Sequence, residues 1–226
     1  NGVADYTVML MLLSLRKYKP ALWRAQVNDY SLAGLQGREL RNLTVGILGT
    51  GKIGAAVIKN LSGFGCRILA SDIRENPSLK GLCTYVDNET LYKACDIISL
   101  HMPLLESTRH FVNAETIAKM KDGVTIINCA RGELMNIPDM IRGIETQKIG
   151  ALALDVFDKE DGIYHENRRD DILSNRDMAY LRQFPNVIMT QHMAFYTDAA
   201  VQSMVFCGIE GLCDFAKTGH TETELV

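Results

Sequence analysis

The chain has 226 residues, of which 47% are apolar, and its 24 Lys and Arg residues are balanced by 27 Asp and Glu for a formal net charge of −3. This composition suffices for one large hydrophobic core, and the scattered, balanced charges argue against a nucleic-acid partner. The six cysteines form no CxxC pair and no disulfide scaffold, which indicates reduced thiols in a cytoplasmic protein.

The first predicted element is an apolar helix over residues 2–19, ahead of Pro20. Its most apolar part, residues 6–15, is too short to cross a bilayer, so we expect a buried helix and no membrane partner. No basic segment precedes an apolar one, so no signal peptide is predicted.

From residue 43 onward, short apolar runs alternate with longer segments of helical period. The runs of strand length are 44–48, 67–71, 96–100, 124–128, 151–154 and 186–190. The helical segments are 53–61, 89–93, 114–120 and 137–145. Near-continuous apolar strands separated by helices predict a parallel sheet covered on both faces, which is the doubly wound α/β sheet of a Rossmann-type domain.

Two later regions depart from this alternation. Residues 158–183 form a polar insertion between two predicted strands, where short loops are usual. Residues 198–217 predict a final helix, and a polar tail follows at 218–226.

The strongest local signal is the GxGxxG pattern of Gly49, Gly51 and Gly54, directly after a strand and at the start of a helix. Gly49 permits a tight turn, Gly51 lets the backbone approach a pyrophosphate, and Gly54 lets the helix pack on the strand. The helix N-terminus offers free N–H groups and a positive dipole end to phosphates. By itself, the pattern also occurs in ordinary glycine-rich turns.

The second predicted strand adds the acidic residue that such a site needs. It ends at Asp72, where a carboxylate can accept hydrogen bonds from ribose hydroxyls and would repel a 2′-phosphate. This predicts NAD rather than NADP as the cofactor. Arg74 points the other way, but its simpler interpretation is a surface arginine.

Further motifs follow in order. They are His101-Met102-Pro103, Asn128-Cys129-Ala130-Arg131-Gly132, Asp155-Val156-Phe157-Asp158-Lys159-Glu160 and Gln191-His192-Met193-Ala194-Phe195-Tyr196. With the glycine loop, they resemble the D-isomer-specific 2-hydroxyacid dehydrogenase family from residue 2 to about 215. Within it, the match is closest to D-lactate and D-2-hydroxyisocaproate dehydrogenases, including the D-lactate dehydrogenases of vancomycin-resistance clusters. The resemblance implies an NAD-dependent oxidoreductase that interconverts a D-2-hydroxy acid and a 2-keto acid.

The chemistry of that reaction calls for three residue types. Arg131 suits the need for a cation, because a guanidinium binds a carboxylate bidentately. His192 suits the need for an acid, because imidazole titrates near neutral pH, and Glu160 suits the need for a neighbour that favours the imidazolium. The resemblance assigns these same catalytic roles to Arg131, Glu160 and His192. Taken singly, each is equally well explained as a surface charge or a partly buried histidine.

Binding residues are expected at the strand ends. The cofactor-binding candidates are Gly49, Gly51, Lys52, Ile53, Gly54, Asp72, Met102, Pro103, Thr108, Cys129, Ala130, Arg131 and, at the nicotinamide end, Asp155. The substrate candidates are Arg131 and Phe195. His101 is expected to line the cofactor cleft, whereas His110, His165 and His220 are interpreted as surface residues. No spacing of His, Cys and acidic residues fits a metal site.

Two positions depart from the family pattern. Gln191 stands where a proline usually precedes the catalytic histidine, and Met135-Asn136 replaces a usual Val-Asp pair. Neither change removes a reacting group, but without the proline we expect His192 to be aimed less firmly.

The resemblance also implies a division of the chain. Residues 1–20 are expected to form an interdomain and dimerisation helix, 21–196 the NAD-binding domain, and 197–226 a helix that returns toward a substrate-binding domain. Since the family's substrate domain is built mostly ahead of that first helix, the sequence predicts a truncated chain with half a cleft. A half cleft leaves the reacting atoms in water, where positioning is weakest. The first helix carries more apolar residues than one face can hold, so we expect a homodimer with residues 2–17 in its interface.

Two other functions are compatible with these motifs. One is a non-catalytic NAD-binding module, either an inactive fragment or a redox-sensing regulator, although a sensor has no need of the complete set Arg131, Glu160 and His192. The other is a dehydrogenase of the same family for phosphoglycerate or formate. Phe195-Tyr196 favours an aliphatic or aromatic substrate side chain, because an aromatic pair offers apolar contact rather than phosphate ligands.

Overall fold

The computed structural model describes residues 1–221. In that part of the chain, the strands are β1 (Thr44–Leu48), β2 (Arg67–Ser71), β3 (Thr84–Tyr85), β4 (Ile97–Leu100), β5 (Val124–Asn128), β6 (Ile149–Leu154) and β7 (Val187–Met189). The α-helices are α1 (Gly2–Leu15), α2 (Tyr18–Gln26), α3 (Lys52–Ser62), α4 (Asn88–Ala94), α5 (Ala114–Lys119), α6 (Ile137–Glu145), α7 (Arg176–Leu181) and α8 (Asp198–Thr218).

The strands form one seven-stranded sheet in the order β3-β2-β1-β4-β5-β6-β7, and every pairing is parallel. The chain leaves β1 toward one side of the sheet and returns to β4 on the other, so the strand order reverses between β1 and β4. This is the doubly wound, Rossmann-type architecture that the alternation of apolar strands and helices predicts. Ligands bind at the carboxyl ends of the strands beside such a reversal.

Each face of the sheet is covered by its own helical layer. On one face, α1 and α3 pack on the strands, with Leu10, Met11 and Ile58 fully buried. On the other face, α4, α5, α6 and α7 bury residues such as Leu91 and Met140. Full burial of one such side chain contributes about 1.5–3 kcal/mol to the free energy of unfolding, so both helical layers stabilise the sheet.

The N-terminal segment is two helices rather than the single one predicted over residues 2–19. The α1 helix ends at Leu15, Lys17 adopts a left-handed conformation with φ of 49°, and α2 begins at Tyr18. Pro20 therefore lies in the first turn of α2, where its missing N–H costs no helical hydrogen bond.

The polar insertion at 158–183 contains one helix, α7, which the sequence pattern did not predict. The final helix, α8, is as predicted, with Thr197 accepting a hydrogen bond from the N–H of Ala200 as N-cap and Gly219 as C-cap with φ of 75°. None of its residues is buried. Of the polar tail predicted at 218–226, residues 222–226 lie outside the described residues.

Candidate active site

The turn that carries Arg131 is built by the last residue of β5. The side chain of Asn128 accepts a hydrogen bond from the N–H of Ala130 at 2.9 Å and donates one to the carbonyl of Arg131 at 2.8 Å. Because Asn128 is fully buried, these bonds fix the turn. The guanidinium of Arg131 is exposed, and its Nη1 donates to the carbonyl of Ala130 at 2.7 Å.

Gly132 brings this turn against the segment that follows β6. A Cβ at Gly132 would lie 2.1 Å from the carbonyl carbon of Phe157 and 2.4 Å from the nitrogen of Asp158, so no larger residue fits. The arginine turn therefore packs directly on the backbone that leads to Glu160.

Glu160 and His192 form a hydrogen-bonded pair. Oε1 of Glu160 binds Nδ1 of His192, and Oε2 accepts the N–H of Phe157 at 2.8 Å. The two side chains are only 22% and 29% exposed, so water screens the pair incompletely. With Nδ1 held by the carboxylate, Nε2 is the ring atom that can face a substrate.

The turn that carries His192 is held by Asp155, at the end of β6. The main-chain N–H of His192 donates to the carbonyl of Asp155 at 2.7 Å. The Asp155 carboxylate accepts hydrogen bonds from the Thr190 hydroxyl at 2.6 Å and from the N–H groups of Met193 and Ala194 at 3.0 and 2.8 Å. These bonds fix a turn in which His192 has a φ of 54°, a conformation that is costly for a residue other than glycine.

Asp155 is therefore placed differently from the expectation. The sequence pattern put its carboxylate at the nicotinamide end of the cofactor, whereas the structure buries it completely beneath the histidine turn. A buried carboxylate with three donors is satisfied by the protein itself. Its observed contacts indicate a positioning role toward His192.

Two aromatic rings lie beside the imidazole of His192. The ring centroid of Phe195 is 6.2 Å from that of His192, and the ring of His165 is 6.1 Å from His192 and 6.3 Å from Phe195. Nε2 of His165 also lies 3.1 Å from the carbonyl oxygen of His192. His165 is exposed, as the sequence interpretation expected, and it also contacts the turn of His192 through a loop closure that its sequence context does not signal.

The glycine loop has the shape that a pyrophosphate needs. Gly49 has a φ of +94°, and a Cβ at Gly54 would lie 2.0 Å from the carbonyl oxygen of Gly49, so both glycines are required by the loop itself. A Cβ at Gly51 would meet no atom within 4 Å. Gly51 therefore faces open space at the start of α3, where the helix dipole and free N–H groups favour phosphate. Lys52 and Ile53, both exposed, begin that helix.

Asp72 follows β2 and faces the same loop. Its Oδ2 accepts the N–H and the hydroxyl of Thr50 at 2.5 and 3.0 Å, and its Oδ1 accepts the N–H of Arg74 at 3.2 Å. Burial raises the pKa of the Asp72 carboxyl, but these hydrogen bonds outweigh burial and hold the pKa below its usual value. The carboxylate is exposed and charged, as an acceptor for ribose hydroxyls must be.

The segment after β4 forms the opposite wall of this cleft. The N–H of His101 donates to the carbonyl of Leu48 at 2.7 Å, and its Nε2 lies 2.9 Å from the Ser99 hydroxyl. Burial lowers the pKa of His101 to about 4, so the ring is neutral at working pH. Pro103 is exposed, and the Thr108 hydroxyl donates to its carbonyl at 2.7 Å, which holds the segment that carries both residues.

Two expected cofactor contacts on the arginine turn differ in exposure. Ala130 is half-buried, whereas Cys129 is buried, and burial raises the pKa of its thiol to about 12. Cys129 therefore packs under the turn as a neutral side chain. All six cysteines are unpaired, and residues 1–221 contain no group of three His, Cys, Asp or Glu side chains that could hold a metal ion.

The chain is similar to proteins of one family. Residues 8–194 match the model of the D-isomer specific 2-hydroxyacid dehydrogenase NAD-binding domain. An aromatic 2-oxoacid reductase of Clostridium sporogenes is 43% identical over 227 residues, covering 100% of this chain and 69% of that protein.

Solved structures give the same result. A D-lactate dehydrogenase from a Sporolactobacillus species superposes with a TM-score of 0.94 at 34% identity, and one from Lactobacillus jensenii with NAD+ superposes with a TM-score of 0.89 at 32% identity. Both matches cover 100% of this chain and 68% of the other. The chain thus spans about two thirds of the length of these relatives.

Proposed function

Because the chain belongs to the D-isomer-specific 2-hydroxyacid dehydrogenase family, whose members transfer a hydride between NAD(H) and 2-hydroxy or 2-keto acids, we propose that Arg131, Glu160 and His192 are its catalytic residues. One observation carries this proposal. Arg131, Glu160 and His192 follow the adjacent parallel strands β5, β6 and β7, and Glu160 is bonded to Nδ1 of His192. The carboxyl ends of adjacent parallel strands lie on one edge, so the three side chains share the ligand-binding edge of the sheet.

His192 acts as the general acid in reduction. Its Nε2 donates a proton to the oxygen of the 2-keto group as that oxygen becomes an alkoxide, and in the opposite direction Nε2 accepts the proton of the 2-hydroxyl. Glu160 holds Nδ1 and stabilises the imidazolium that donates the proton. Arg131 binds the substrate carboxylate and stabilises negative charge on the carbonyl oxygen.

The glycine loop, Asp72 and the segment after β4 fit an NAD molecule. Gly51 and the first turn of α3 would hold the pyrophosphate, Asp72 the adenosine ribose, and Met102 and Pro103 the nicotinamide side. When bound, NADH supplies the hydride for the carbonyl carbon. Asp155 does not contact the reacting atoms in this scheme but positions the turn of His192.

The substrate side chain is proposed to be aromatic or large and aliphatic. Phe195 and His165 place two rings within about 6.3 Å of the imidazole of His192, and an aromatic substrate ring can pack edge-to-face on such rings. The relative from Clostridium sporogenes is named an aromatic 2-oxoacid reductase, which supports the same substrate class. A small substrate such as pyruvate would leave these rings without a partner.

A homodimer is proposed, but not through the surface that the sequence pattern indicated. Most of the apolar residues of α1 are covered within the chain by α3 and the sheet, so α1 leaves little for a partner to bury. Several of the large exposed apolar side chains instead lie on α2 and the segment after it, where Trp23, Tyr30 and Leu32 are 66%, 75% and 83% exposed. Lys19 fixes α2 to the chain by donating to the carbonyls of Arg182, Phe184 and Val187 at 2.7–2.8 Å.

We propose a cytoplasmic location and no nucleic-acid or membrane partner. The balanced charge and the unpaired cysteines support this proposal. Among residues 1–221, α8 is long and apolar enough to cross a bilayer, with a mean hydropathy of 1.2. Glu210 lies near its middle and Asp214 one turn further on, and an acidic side chain in the middle of such a helix would be costly in lipid. We therefore propose that α8 packs on protein, within a segment 197–226 that returns toward a substrate-binding domain. In the same proposal, 1–20, with α1 and the start of α2, is the connecting segment and 21–196 is the NAD-binding domain.

The proposal is tested by the reduction of phenylpyruvate, 4-methyl-2-oxopentanoate and pyruvate, followed as NADH oxidation with the product's configuration determined. We expect D-products and a higher kcat/KM for the two larger acids. Reduction that persists unchanged in Arg131→Met and His192→Gln would overturn the assignment of these residues. A preference for pyruvate would overturn the proposed substrate class while leaving the catalytic residues in place.

A further inference from the structure

A directed chain of hydrogen bonds runs from the edge strand β3 to Asp72. The main-chain N–H of Asn76 donates to the hydroxyl of Tyr85 at 2.9 Å, Tyr85 donates to Oγ1 of Thr50 at 3.0 Å, and Thr50 donates to Oδ2 of Asp72 at 3.0 Å. A main-chain N–H can only donate and a carboxylate can only accept. The single proton of each hydroxyl must therefore point toward Asp72.

This chain makes the two oxygens of Asp72 unequal. Oδ2 accepts both the hydroxyl and the main-chain N–H of Thr50, the latter at 2.5 Å. Oδ1 accepts the longer bond from the N–H of Arg74, at 3.2 Å, and keeps acceptor capacity on the exposed side of the carboxylate. A ligand hydroxyl therefore finds its acceptor at Oδ1.

The same residues tie Asp72 to the phosphate-binding loop. Thr50 lies between Gly49 and Gly51 and is 2% exposed. Its carbonyl accepts the side-chain N–H of Asn76 at 3.1 Å, so both ends of Thr50 are held by the segment between β2 and β3. Tyr85 reaches this point because β3 pairs in parallel with β2, with Tyr85 opposite Ala70.

We propose that Tyr85 is a positioning residue for cofactor selection, acting through Thr50 on Asp72. The relay holds the carboxylate so that Oδ1 meets a ribose hydroxyl and its charge excludes a 2′-phosphate. The proposal rests on the proposed role of Asp72 in binding the ribose. Tyr85 itself lies two hydrogen bonds from Asp72 and three from the ligand, so its effect passes entirely through the orientation of Asp72.

The test measures the Kd of NADH and of NADPH by fluorescence titration of the 226-residue chain. Tyr85→Phe and the isosteric Thr50→Val each break the relay, and we expect each to weaken NADH binding about 3- to 10-fold, the size of a typical net hydrogen-bond contribution. NADPH binding should change little, so the ratio of the Kd of NADPH to the Kd of NADH falls. Because the two hydroxyls act in series, the double variant should be no worse than Thr50→Val.

Two controls separate the relay from a general loss of structure. Thr50→Ser keeps the hydroxyl and should keep the wild-type ratio. Tyr180→Phe removes a tyrosine hydroxyl that donates to Glu145 on α6, and it should change neither Kd. Thermal unfolding of each variant shows whether the fold is retained.

Each other outcome identifies what fails. If Asp72→Ala lowers the ratio but Tyr85→Phe and Thr50→Val do not, the relay is overturned and the role of Asp72 stands. If Asp72→Ala leaves the ratio unchanged, the role of Asp72 is overturned as well. Equal weakening of NADH and NADPH by Tyr85→Phe would overturn positioning, because it shows only that the loop is disturbed.

Discussion

The main-chain N–H of His192 donates to the main-chain carbonyl of Asp155 at 2.7 Å, and the Asp155 carboxylate binds the next two N–H groups along the turn. The turn that carries His192 is thus held by the residue that follows the neighbouring strand β6. Gln191, where the family usually has proline, was expected to loosen this turn. The bonds to Asp155 restrain the turn at residues 192–194.

We predict that Asp155→Asn lowers kcat at least about tenfold, because a misaligned general acid loses much of its contribution. The asparagine NH2 would face main-chain N–H donors, so one donor would lose its acceptor in a buried site. The free energy of unfolding should fall by about 1–3 kcal/mol. Steady-state kinetics and thermal unfolding measure the two effects, with the exposed Asp161→Asn as the control. An unchanged kcat with weaker NADH binding would instead place the carboxylate's role at the nicotinamide.

The Glu160–His192 pair predicts that both side chains are needed for reduction. In Glu160→Gln, Nδ1 of His192 loses its carboxylate partner, so the imidazole is held less well and kcat should fall about tenfold or more. His192→Gln should lower kcat about 100-fold or more while NADH binding is retained. An unchanged kcat in Glu160→Gln would show that another group holds the imidazole.

The parts of the fold that the sequence predicts are those with a strong local pattern. The strands at 44–48, 67–71 and 124–128 match β1, β2 and β5 because both of their faces are buried and their residues are almost continuously apolar. The strand β3 was missed because it is two residues long at the sheet edge. The α7 helix was missed because it lies in a polar insertion with no apolar period.

The candidate site divides in the same way. Arg131, Glu160 and His192 follow strand ends, and their motifs are local, so they could be identified from residue type and order. The buried networks of Asn128 and Asp155 could not, because they join main-chain groups that only the folded turns bring together. The contact between His165 and His192 could not be predicted either, because it depends on the closure of a loop that joins residues 27 positions apart in the chain. The relay of Tyr85 depends on the pairing of β3 with β2, which the sequence pattern did not contain.

Two glycines of the loop should respond differently to alanine. In Gly54→Ala, the new Cβ would lie 2.0 Å from the carbonyl oxygen of Gly49, so both the thermal stability and NADH binding should be lost together. In Gly51→Ala, the Cβ meets no protein atom within 4 Å, so the unfolding temperature should stay within about 2 °C of the wild type. NADH binding should nevertheless weaken about tenfold or more, because the methyl group occupies the path of the pyrophosphate. Unchanged NADH binding in a folded Gly51→Ala would place the pyrophosphate elsewhere.

His101 predicts acid sensitivity of the fold. Burial lowers its pKa to about 4, whereas an unfolded histidine titrates near 6.5. Between these values the unfolded chain binds a proton that the folded chain does not, so the stability present above pH 6.5 is lost as the pH falls toward 4. Urea unfolding at several pH values measures this effect. Over this range, the free energy of unfolding of His101→Gln should fall by about 2 kcal/mol less than that of the wild type. His110→Asn removes a histidine outside the sheet and should keep the wild-type dependence of the free energy of unfolding on pH. The same dependence in His101→Gln as in the wild type would contradict this role of His101.

The exposed side chains of α2 and its following segment predict a dimer with a defined interface. Trp23, Tyr30 and Leu32 are too exposed for a monomer surface that carries no partner, and α2 is held rigidly by Lys19. Light scattering at micromolar concentration should give about twice 25.2 kDa. Trp23→Glu places a charge at the centre of this surface and should shift the equilibrium to monomer, since loss of a central aromatic costs about 2–4 kcal/mol, or roughly 30- to 1000-fold in Kd.

Two matched variants locate the interface. Ile172→Glu alters an even more exposed side chain, 97% exposed in the loop ahead of α7, and should leave the dimer intact. Met9→Glu alters the exposed side chain of α1, 38% exposed, and should weaken the dimer less than Trp23→Glu. Dissociation by Met9→Glu with a stable Trp23→Glu dimer would return the interface to α1, as its apolar sequence first suggested. A monomer in the unmodified chain would overturn the proposed dimer.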